Sequence, residues 1–343
     1  MTRTRILFAV GVLLLVAGAV AAYVVFLAPN SFSDGAARTV FVRRGEPFAR
    51  IADSLADRGI VRNRTMFMIV ARVLGGAERV QAGKYTFESG NSNMGIFLTL
   101  RDGSANQTIR VSIPEGARPR LQAKIFARAI GIDSARYVNI AYDPEVAREL
   151  DIEGASLEGY LLPETYSLRW GMDERELITM QVDEFNRFFS DSLKERAQEL
   201  GWSVHQAVTF ASIVEGEAVL NDERPVIAGV YHNRLRLGMK LEADPTIQYL
   251  FDERPRRVLY ADLRRNSPYN TYLYAGLPPG PVNNPGKASM LASLYPASHP
   301  YIFFVATGKG GHWFASSYTQ HMMNVRRYRH ERARQWREQK GPT

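Results

Sequence analysis

The first apolar pattern in this chain has no period. Residues 6–27 carry no charge and one tyrosine in an otherwise apolar or small-residue run. At about 1.5 Å per residue such a run crosses a hydrocarbon core of about 30 Å. It predicts a transmembrane helix. Arg3 and Arg5 precede it, so residues 1–5 are expected in the cytoplasm and everything after the helix outside. A cleaved signal peptide at Ala19-Val-Ala21 is the alternative. Signal cores usually run about 7–15 residues, and the longer run here favours a retained anchor. Residues 28–38 are small and polar, as in a linker.

After the linker the apolar positions alternate between the two regular periods. Residues 39–43 read as a strand. Phe48, Ile51, Ala52 and Leu55 recur at helical spacing, and Gly59-Ile60 suits the end of that helix. Asn63 is placed to cap a second helix with Phe67, Val70, Val73 and Leu74 on its stripe. Residues 82–87 form a second short strand, and a helix with Met94, Phe97 and Leu98 ends at Asp102-Gly103. This strand–helix–helix–strand order over 39–103 resembles a LysM-like module, a small fold that holds glycan. It also suits a small α+β packing domain without a ligand.

Residues 107–113 alternate, with Ile109, Val111 and Ile113 on one face. Pro114-Glu-Gly116 predicts a turn, and Leu121, Ile125 and Ala129 a helix. A compact aromatic and proline segment follows at Glu158-Gly-Tyr-Leu-Leu-Pro-Glu-Thr-Tyr166, then two or three helices over 174–201. The run Phe210-Ala-Ser-Ile-Val-Glu-Gly-Glu217 is the centre of interest. Read as a helix, it puts Phe210, Ile213, Val214 and Glu217 on one face, with Glu215 on another. A carboxyl at the end of an apolar stripe is hard to ionise and so has a raised pKa, as a general acid near neutral pH requires. Asn221 or Asp222 is expected to cap a helix over 225–235 that stops before Gly238. Residues 241–286 are dense in Pro, Gly, Asn and Tyr, including Leu241-Glu-Ala-Asp244 and Tyr269-Asn-Thr-Tyr272. Such a stretch predicts a rigid functional loop, and its tyrosines and amides suit sugars. Residues 301–306 read as a strand, followed by Gly308-Lys-Gly-Gly-His312. The fold class is α+β.

Composition removes several chemistries. There is no cysteine, which excludes disulfides, thiolate metal sites and a cysteine nucleophile. No H-E-x-x-H, G-x-S-x-G or P-loop spacing occurs, so neither a metal nor a cofactor is expected. Net charge is +8, and much of it lies in the tail 326–343. That tail suits anionic lipid or wall polymer, or a solvated helix face. Export argues against nucleic acid as a partner.

What remains is carboxylate chemistry on a glycan, with Glu217 as acid and Asp244 or Glu215 as a second group. The motifs Glu158-Gly-Tyr, Ala211-Ser-Ile-Val-Glu-Gly-Glu217, Asn233-Arg-Leu, Leu241-Glu-Ala-Asp-Pro-Thr246, Tyr269-Asn-Thr-Tyr272, Gly276-Leu-Pro-Pro-Gly-Pro281, Asn284-Pro-Gly286 and Gly310-Gly-His312 stand in an order that resembles the endolytic murein transglycosylases, the YceG-like family. The resemblance covers nearly the whole chain and implies a catalytic domain over 104–325. It implies non-hydrolytic cleavage of the β-1,4 bond between N-acetylmuramic acid and N-acetylglucosamine, leaving 1,6-anhydro ends. Glu217 matches the catalytic glutamate of that family. Glu215, Asp244, Asn270, Tyr272 and His312 match motif positions and are candidates for glycan contact. The resemblance further implies a single-pass protein of the bacterial inner membrane, acting on peptidoglycan strands and trimming or ending nascent ones near the wall synthases. Gly216, Ala218 and Ala243 depart from residues common in relatives and leave the hydrogen bonds around Glu217 open. A non-catalytic wall-binding scaffold, or a hydrolase using Asp244 with Glu217, are the competing readings.

Overall fold

The computed structural model describes residues 3–32, 35–103, 108–251 and 256–340. Gln107, in the predicted strand 107–113, lies outside them. Helix α1 (Arg3–Ala22) runs into a π-helical turn, Tyr23–Leu27. Strand β1 (Arg38–Val42), helices α2 (Phe48–Asp57) and α3 (Arg64–Leu74), strand β2 (Gly83–Phe87) and helix α4 (Asn93–Asp102) follow. Next are β3 (Thr108–Ser112), α5 (Pro119–Ile130), α6 (Ser134–Ala141), α7 (Pro144–Glu149) and β4 (Thr165–Arg169). Five helices come in succession: α8 (Glu174–Phe188), α9 (Asp191–Glu199), α10 (Val204–Glu217), α11 (Arg224–Arg236) and α12 (Asp244–Gln248). The chain closes with α13 (Lys287–Leu294), β5 (Phe303–Ala306), β6 (His312–Ala315) and α14 (Tyr318–Lys340). It divides into two compact units. One comprises Met1–Val111, Phe126–Ile132 and Tyr166–Asp173, the other Ser112–Ile125, Asp133–Thr165 and Glu174–Thr343.

In the first unit, Arg5–Leu27 is long and apolar enough to cross a membrane; its side chains are exposed along α1, while Val25 and Phe26 at its end pack against the core of the unit. Strands β1 and β2 pair antiparallel, from Arg38 opposite Phe87 to Val42 opposite Gly83. Their alternation turns Val40, Val42, Tyr85 and Phe87 inward. Against them pack Ile51, Ala52 and Leu55 of α2 and Phe67 and Val70 of α3. The Phe48 ring lies 5.6 Å from that of Phe67 and 5.8 Å from that of Phe97. Gly59 takes φ +65°, which lets the Ile60 amide donate back to the Leu55 carbonyl at 2.8 Å and close α2. The stripe of α3 differs from the expectation at one position. Val73 is 66% exposed and Ala71 is buried in its place, because 67, 70, 71 and 74 follow the three-and-four spacing and 73 falls outside it. Part of the segment read as a linker is docked. Asn30 is buried, donates to the Asn93 side chain at 3.0 Å and accepts from the Arg62 amide at 2.9 Å.

In the second unit, α10 is the central element. Ser203 and Gln206 form a reciprocal capping box at its start. Every residue from Ala207 to Val214 is buried. Phe210, Ile213 and Val214 join Ile227, Ala228, Tyr231, Leu241 and Val282 in one core. Trp202 and His232 stack at 4.7 Å beside Phe210. Neither Asn221 nor Asp222 caps the α11 backbone. Residues Asn221–Glu223 form a 3-10 turn that leads straight into the helix, and the Asn221 side chain accepts from Arg224 Nε at 3.1 Å. Leu121 of α5 is 46% exposed, while Gln122 and Ala123 are buried. The amide of Gln122 is tolerated inside because it donates to the Ala117 and Leu161 carbonyls. The strand at 301–306 is one half of a hairpin, with β5 and β6 paired from Phe303 opposite Ala315 to Ala306 opposite His312. The second half, His312–Ala315, is too short and too close to glycines to show an alternation in sequence.

The Asn63 side chain accepts the Met66 amide at 3.1 Å at the start of α3. Asn63→Ala is expected to lower unfolding stability by about 1 kcal/mol. Denaturant unfolding checks this, and an unchanged midpoint would show that the cap does not hold the helix.

Candidate active site

Helix α10 ends at Glu217, so its buried stripe delivers that carboxyl at the last turn. Two neutral donors address one of its oxygens. The Tyr231 hydroxyl on α11 donates to Glu217 Oε1 at 3.0 Å, and the Asp244 backbone amide at the head of α12 donates to the same oxygen at 3.2 Å. Oε1 is thus the hydrogen-bonded, carbonyl-like oxygen, and a proton on the carboxyl belongs on Oε2. Burial, and then the Asp244 carboxylate, push the Glu217 carboxyl up to about 7. The Tyr231 hydroxyl, the Asp244 amide and Arg234 oppose that rise. Tyr231 itself is pushed far above the ordinary phenol range by burial and by Glu217. It therefore stays protonated and remains a donor.

The residues before Asp244 are under backbone strain. Glu242 sits at φ +50°, a left-handed conformation that costs an ordinary residue roughly 1–2 kcal/mol. Several bonds hold it. Arg234 Nη1 reaches Glu242 Oε2 at 3.2 Å and the Leu241 carbonyl at 2.8 Å. The Thr271 carbonyl accepts the Glu242 amide, and the Thr271 hydroxyl accepts the Ala243 amide. The strained bend aims the Asp244 amide at Glu217.

A cavity of about 260 Å³ opens beside the carboxyl, lined by Glu217, Tyr231, Arg234, Asp244, Tyr272 and His312 among others. The Tyr272 hydroxyl donates to Asp244 Oδ1 at 2.7 Å. Burial and that bond raise the Tyr272 phenol, so it too is protonated. Asp244 and Tyr272 also line an adjoining cavity of about 290 Å³ with Arg257, Leu259 and Tyr260. The pair forms the sill between two compartments of one cleft. His312 enters from the β5–β6 hairpin and is held by Glu223, which accepts its backbone amide at 2.8 Å and contacts Nδ1 at 2.7 Å.

Four of the six residues singled out in sequence, Glu217, Asp244, Tyr272 and His312, thus line one cavity. The other two do not. Glu215 lines a different cavity and is neutralised by Arg224 at 3.0 Å, with the Gly286 amide and Ser289 hydroxyl donating to it. Asn270 is fully buried. Its amide donates to the Leu263 and Arg265 carbonyls and its oxygen accepts the Tyr272 amide at 2.9 Å. It shapes the loop that carries Tyr272. Sequence reasoning passed over Tyr231, Arg234 as a brace and Glu223. Tyr231 follows Ile227 and Ala228 on the apolar face of α11 and reads there as core. Glu223 reads as an ordinary acid at a helix start. Gly216 has a steric reason, since a Cβ there would stand 2.6 Å from the Pro245 ring. Among the described residues no group of His, Asp and Glu is placed to hold a metal ion.

The profile of the YceG-like family matches residues 40–327. An endolytic murein transglycosylase of Bacillus subtilis (strain 168) is 29% identical over 298 residues, covering 83% of this chain and 82% of that protein. An endolytic murein transglycosylase of Streptococcus pneumoniae is 25% identical over 321 residues, covering 84% of this chain and 57% of the relative. This chain therefore spans little more than half of the pneumococcal protein. The crystal structure of a YceG-like protein from Listeria monocytogenes superposes with a TM-score of 0.59 at 28% identity, covering 85% of this chain and 99% of that one.

The raised Glu217 carboxyl has a consequence for stability. Its folded value of about 7 lies above the ordinary glutamate value. Its contribution is therefore fully present below the unfolded pKa and is lost as pH rises through about 7. Glu217→Gln keeps an acceptor oxygen for Tyr231 and Asp244 and removes the charge. At about pH 8 it is expected to stabilise the detergent-solubilised protein by roughly 1–3 kcal/mol in denaturant unfolding, and to change little at about pH 4. A variant less stable than the parent at the higher pH would contradict the burial of this carboxyl.

Proposed function

Because the chain belongs to the YceG-like family, we propose that it is a peptidoglycan lytic transglycosylase whose acid and base is Glu217. The observation that carries this reading is a carboxyl at the end of α10, lining a cavity with neutral donors on one oxygen, in surroundings that push it up to about 7. A group that titrates near the working pH can give a proton and then take one. Protonated Oε2 donates to the glycosidic oxygen as its bond to C1 of N-acetylmuramic acid breaks. The sugar's own O6 then closes on C1, and the Glu217 carboxylate takes the O6 proton. The product is a 1,6-anhydro end, and the glutamate is restored for the next cycle. Asp244, one step along the cleft, supplies negative charge near a transition state that is cationic at C1. Tyr272 keeps that carboxylate oriented, and His312 lines the same cavity for contact with sugar hydroxyls or N-acetyl groups.

The remaining parts have roles in the same proposal. Residues 6–27 are the single-pass anchor, with residues 1–5 cytoplasmic and the enzyme outside the bacterial inner membrane. Residues 28–38 lead to a LysM-like glycan-holding domain at 39–103, and 104–325 form the catalytic domain. The strand–helix–helix–strand order and buried aromatic core of the former support that assignment. Anchored in this way, the enzyme meets glycan strands where they are made and trims or ends them beside the synthases. The basic tail 326–343 completes the chain.

Mass spectrometry of purified peptidoglycan treated with the protein tests the activity. Anhydro-ended fragments are expected, and Glu217→Gln should lower their rate of formation by about a thousandfold. Full activity in that variant would remove Glu217 from the mechanism. Reducing ends would make water the nucleophile and Asp244 the second carboxylate. The pH profile gives an independent check, since kcat/KM should fall above about pH 7 as the acid ionises. Tyr231→Phe removes a donor that favours the carboxylate, so the alkaline limb should move to higher pH. A limb that stays in place would show that Tyr231 does not tune the acid.

A further inference from the structure

The second unit holds another cavity, of about 390 Å³, that the proposed chemistry does not use. Its lining includes Glu115, Arg118, Lys124, Glu215, Tyr249 and Asn283. Glu217 is not part of it. Gly216 and Pro245, packed tightly together, stand in its wall. The charges around it do not cancel pairwise. Arg118 is committed to Glu158, with Nε 2.7 Å from Oε1, and lies over the Tyr249 ring. Arg224 is buried and serves two carboxylates at once, Glu215 and Glu115, each at 3.0 Å. One guanidinium against two carboxylates leaves one negative charge in excess. Glu215 is 6% exposed and further tied by the Gly286 amide and Ser289 hydroxyl, whereas Glu115 is 45% exposed. The excess charge therefore faces the cavity on Glu115. The nearby Glu164 does not alter the count, because Lys287 pairs with it at 2.6 Å.

A second observation is independent of the acids. Asn283 is 8% exposed, and its Nδ2 donates to the Ser212 carbonyl at 2.8 Å. Its Oδ1 is buried and accepts no hydrogen bond among the described residues. A buried acceptor without a donor costs about 1–3 kcal/mol, which a ligand bringing an N–H would relieve once the Asn283 amide turns its oxygen to the cavity it lines. An acceptor of this kind with an under-compensated carboxylate is the environment of an ammonium group. Lys124 is exposed on α5 in the same lining, where it can meet a carboxylate of the same ligand.

We propose that this cavity binds an amino-acid or peptide substituent carried by the substrate. Its ammonium group faces Glu115 and Asn283, and its carboxylate faces Lys124. The identity of the polymer rests on the transglycosylase reading, and under that reading the ligand is the short peptide borne by N-acetylmuramic acid. A free amine on a sugar would satisfy Glu115 but would leave Lys124 without a partner. The cavity thus places the peptide on one flank of the α10 end while the glycan meets Glu217 on the other.

The test measures binding without cleavage. The full chain carrying Glu217→Gln, in detergent, is titrated with uncrosslinked glycan strands that keep their peptides. The same strands after amidase treatment, and strands with acetylated peptide amines, are the comparisons. Peptide-bearing strands should bind about tenfold tighter than stripped ones, the scale of one charge-assisted contact. Glu115→Gln and amine acetylation should each erase most of that difference and leave stripped strands unaffected. Lys124→Ala, a surface change that leaves the Arg224 cluster intact, should erase part of it. Equal affinity for peptide-bearing and stripped strands would overturn the proposal. So would an equal loss on peptide-bearing and stripped strands in Glu115→Gln with no loss on either in Lys124→Ala, which would point to a sugar amine. Anhydro-product formation by the unsubstituted protein reports separately on the transglycosylase reading, so either idea can fail alone.

Discussion

A half-buried carboxyl at the last turn of α10, set at the edge of a cavity, is the constraint on which the second unit depends. Burying an ionisable group is costly unless its neighbours support one protonation state. Here the support is neutral. Tyr231 and the Asp244 amide donate to one oxygen, and the Asp244 carboxylate lies close enough to oppose ionisation. Much of the surrounding architecture maintains that geometry. The aromatic packing of Phe210, Tyr231 and Phe304 fixes the phenol. Arg234 and Thr271 hold the strained Glu242 bend that aims the amide. Asn270 holds the loop that brings Tyr272 to Asp244.

The two glutamates of the E-x-E pair show how environment divides labour between identical side chains. Glu215 meets a buried guanidinium and two further donors and pins the Asn284-Pro-Gly286 loop to α10. Glu217, two residues on, meets neutral donors and a like charge, and is held near half-ionisation at neutral pH. Such separation of environments is the physical sign of distinct roles for paired carboxyls. The same separation opens two cavities on the two flanks of the helix end. A branched polymer, with sugar on one branch and peptide on the other, has the matching shape.

Much of this was legible in sequence where the governing physics is local. The apolar run 6–27, the Asn63 cap, the Gly59 helix end and the stripe leading to Glu217 each follow from spacing and residue type. Errors arose where tertiary packing decides. Val73 and Leu121 are apolar yet exposed, since neighbouring Ala71, Gln122 and Ala123 lie on the inward arc. The β6 strand could not be read because its pairing with β5 is set by the hairpin and not by alternation. At the site, the motif residues near Glu217 in space were found through a family pattern. Tyr231 and Glu223 were not, because a tyrosine on a core face and an acid at a helix start have ordinary explanations. Asn270 stood in a motif, but its amide is spent on the loop's own backbone.

The central claim is that Glu217 serves in turn as acid and base and that no water attacks the sugar. Digestion of peptidoglycan in water enriched in heavy oxygen tests it most directly. The account predicts products with anhydro ends, lighter by one water than hydrolysed fragments and free of the label. Labelled oxygen at the new sugar end would mean that water is the nucleophile, and would contradict the account.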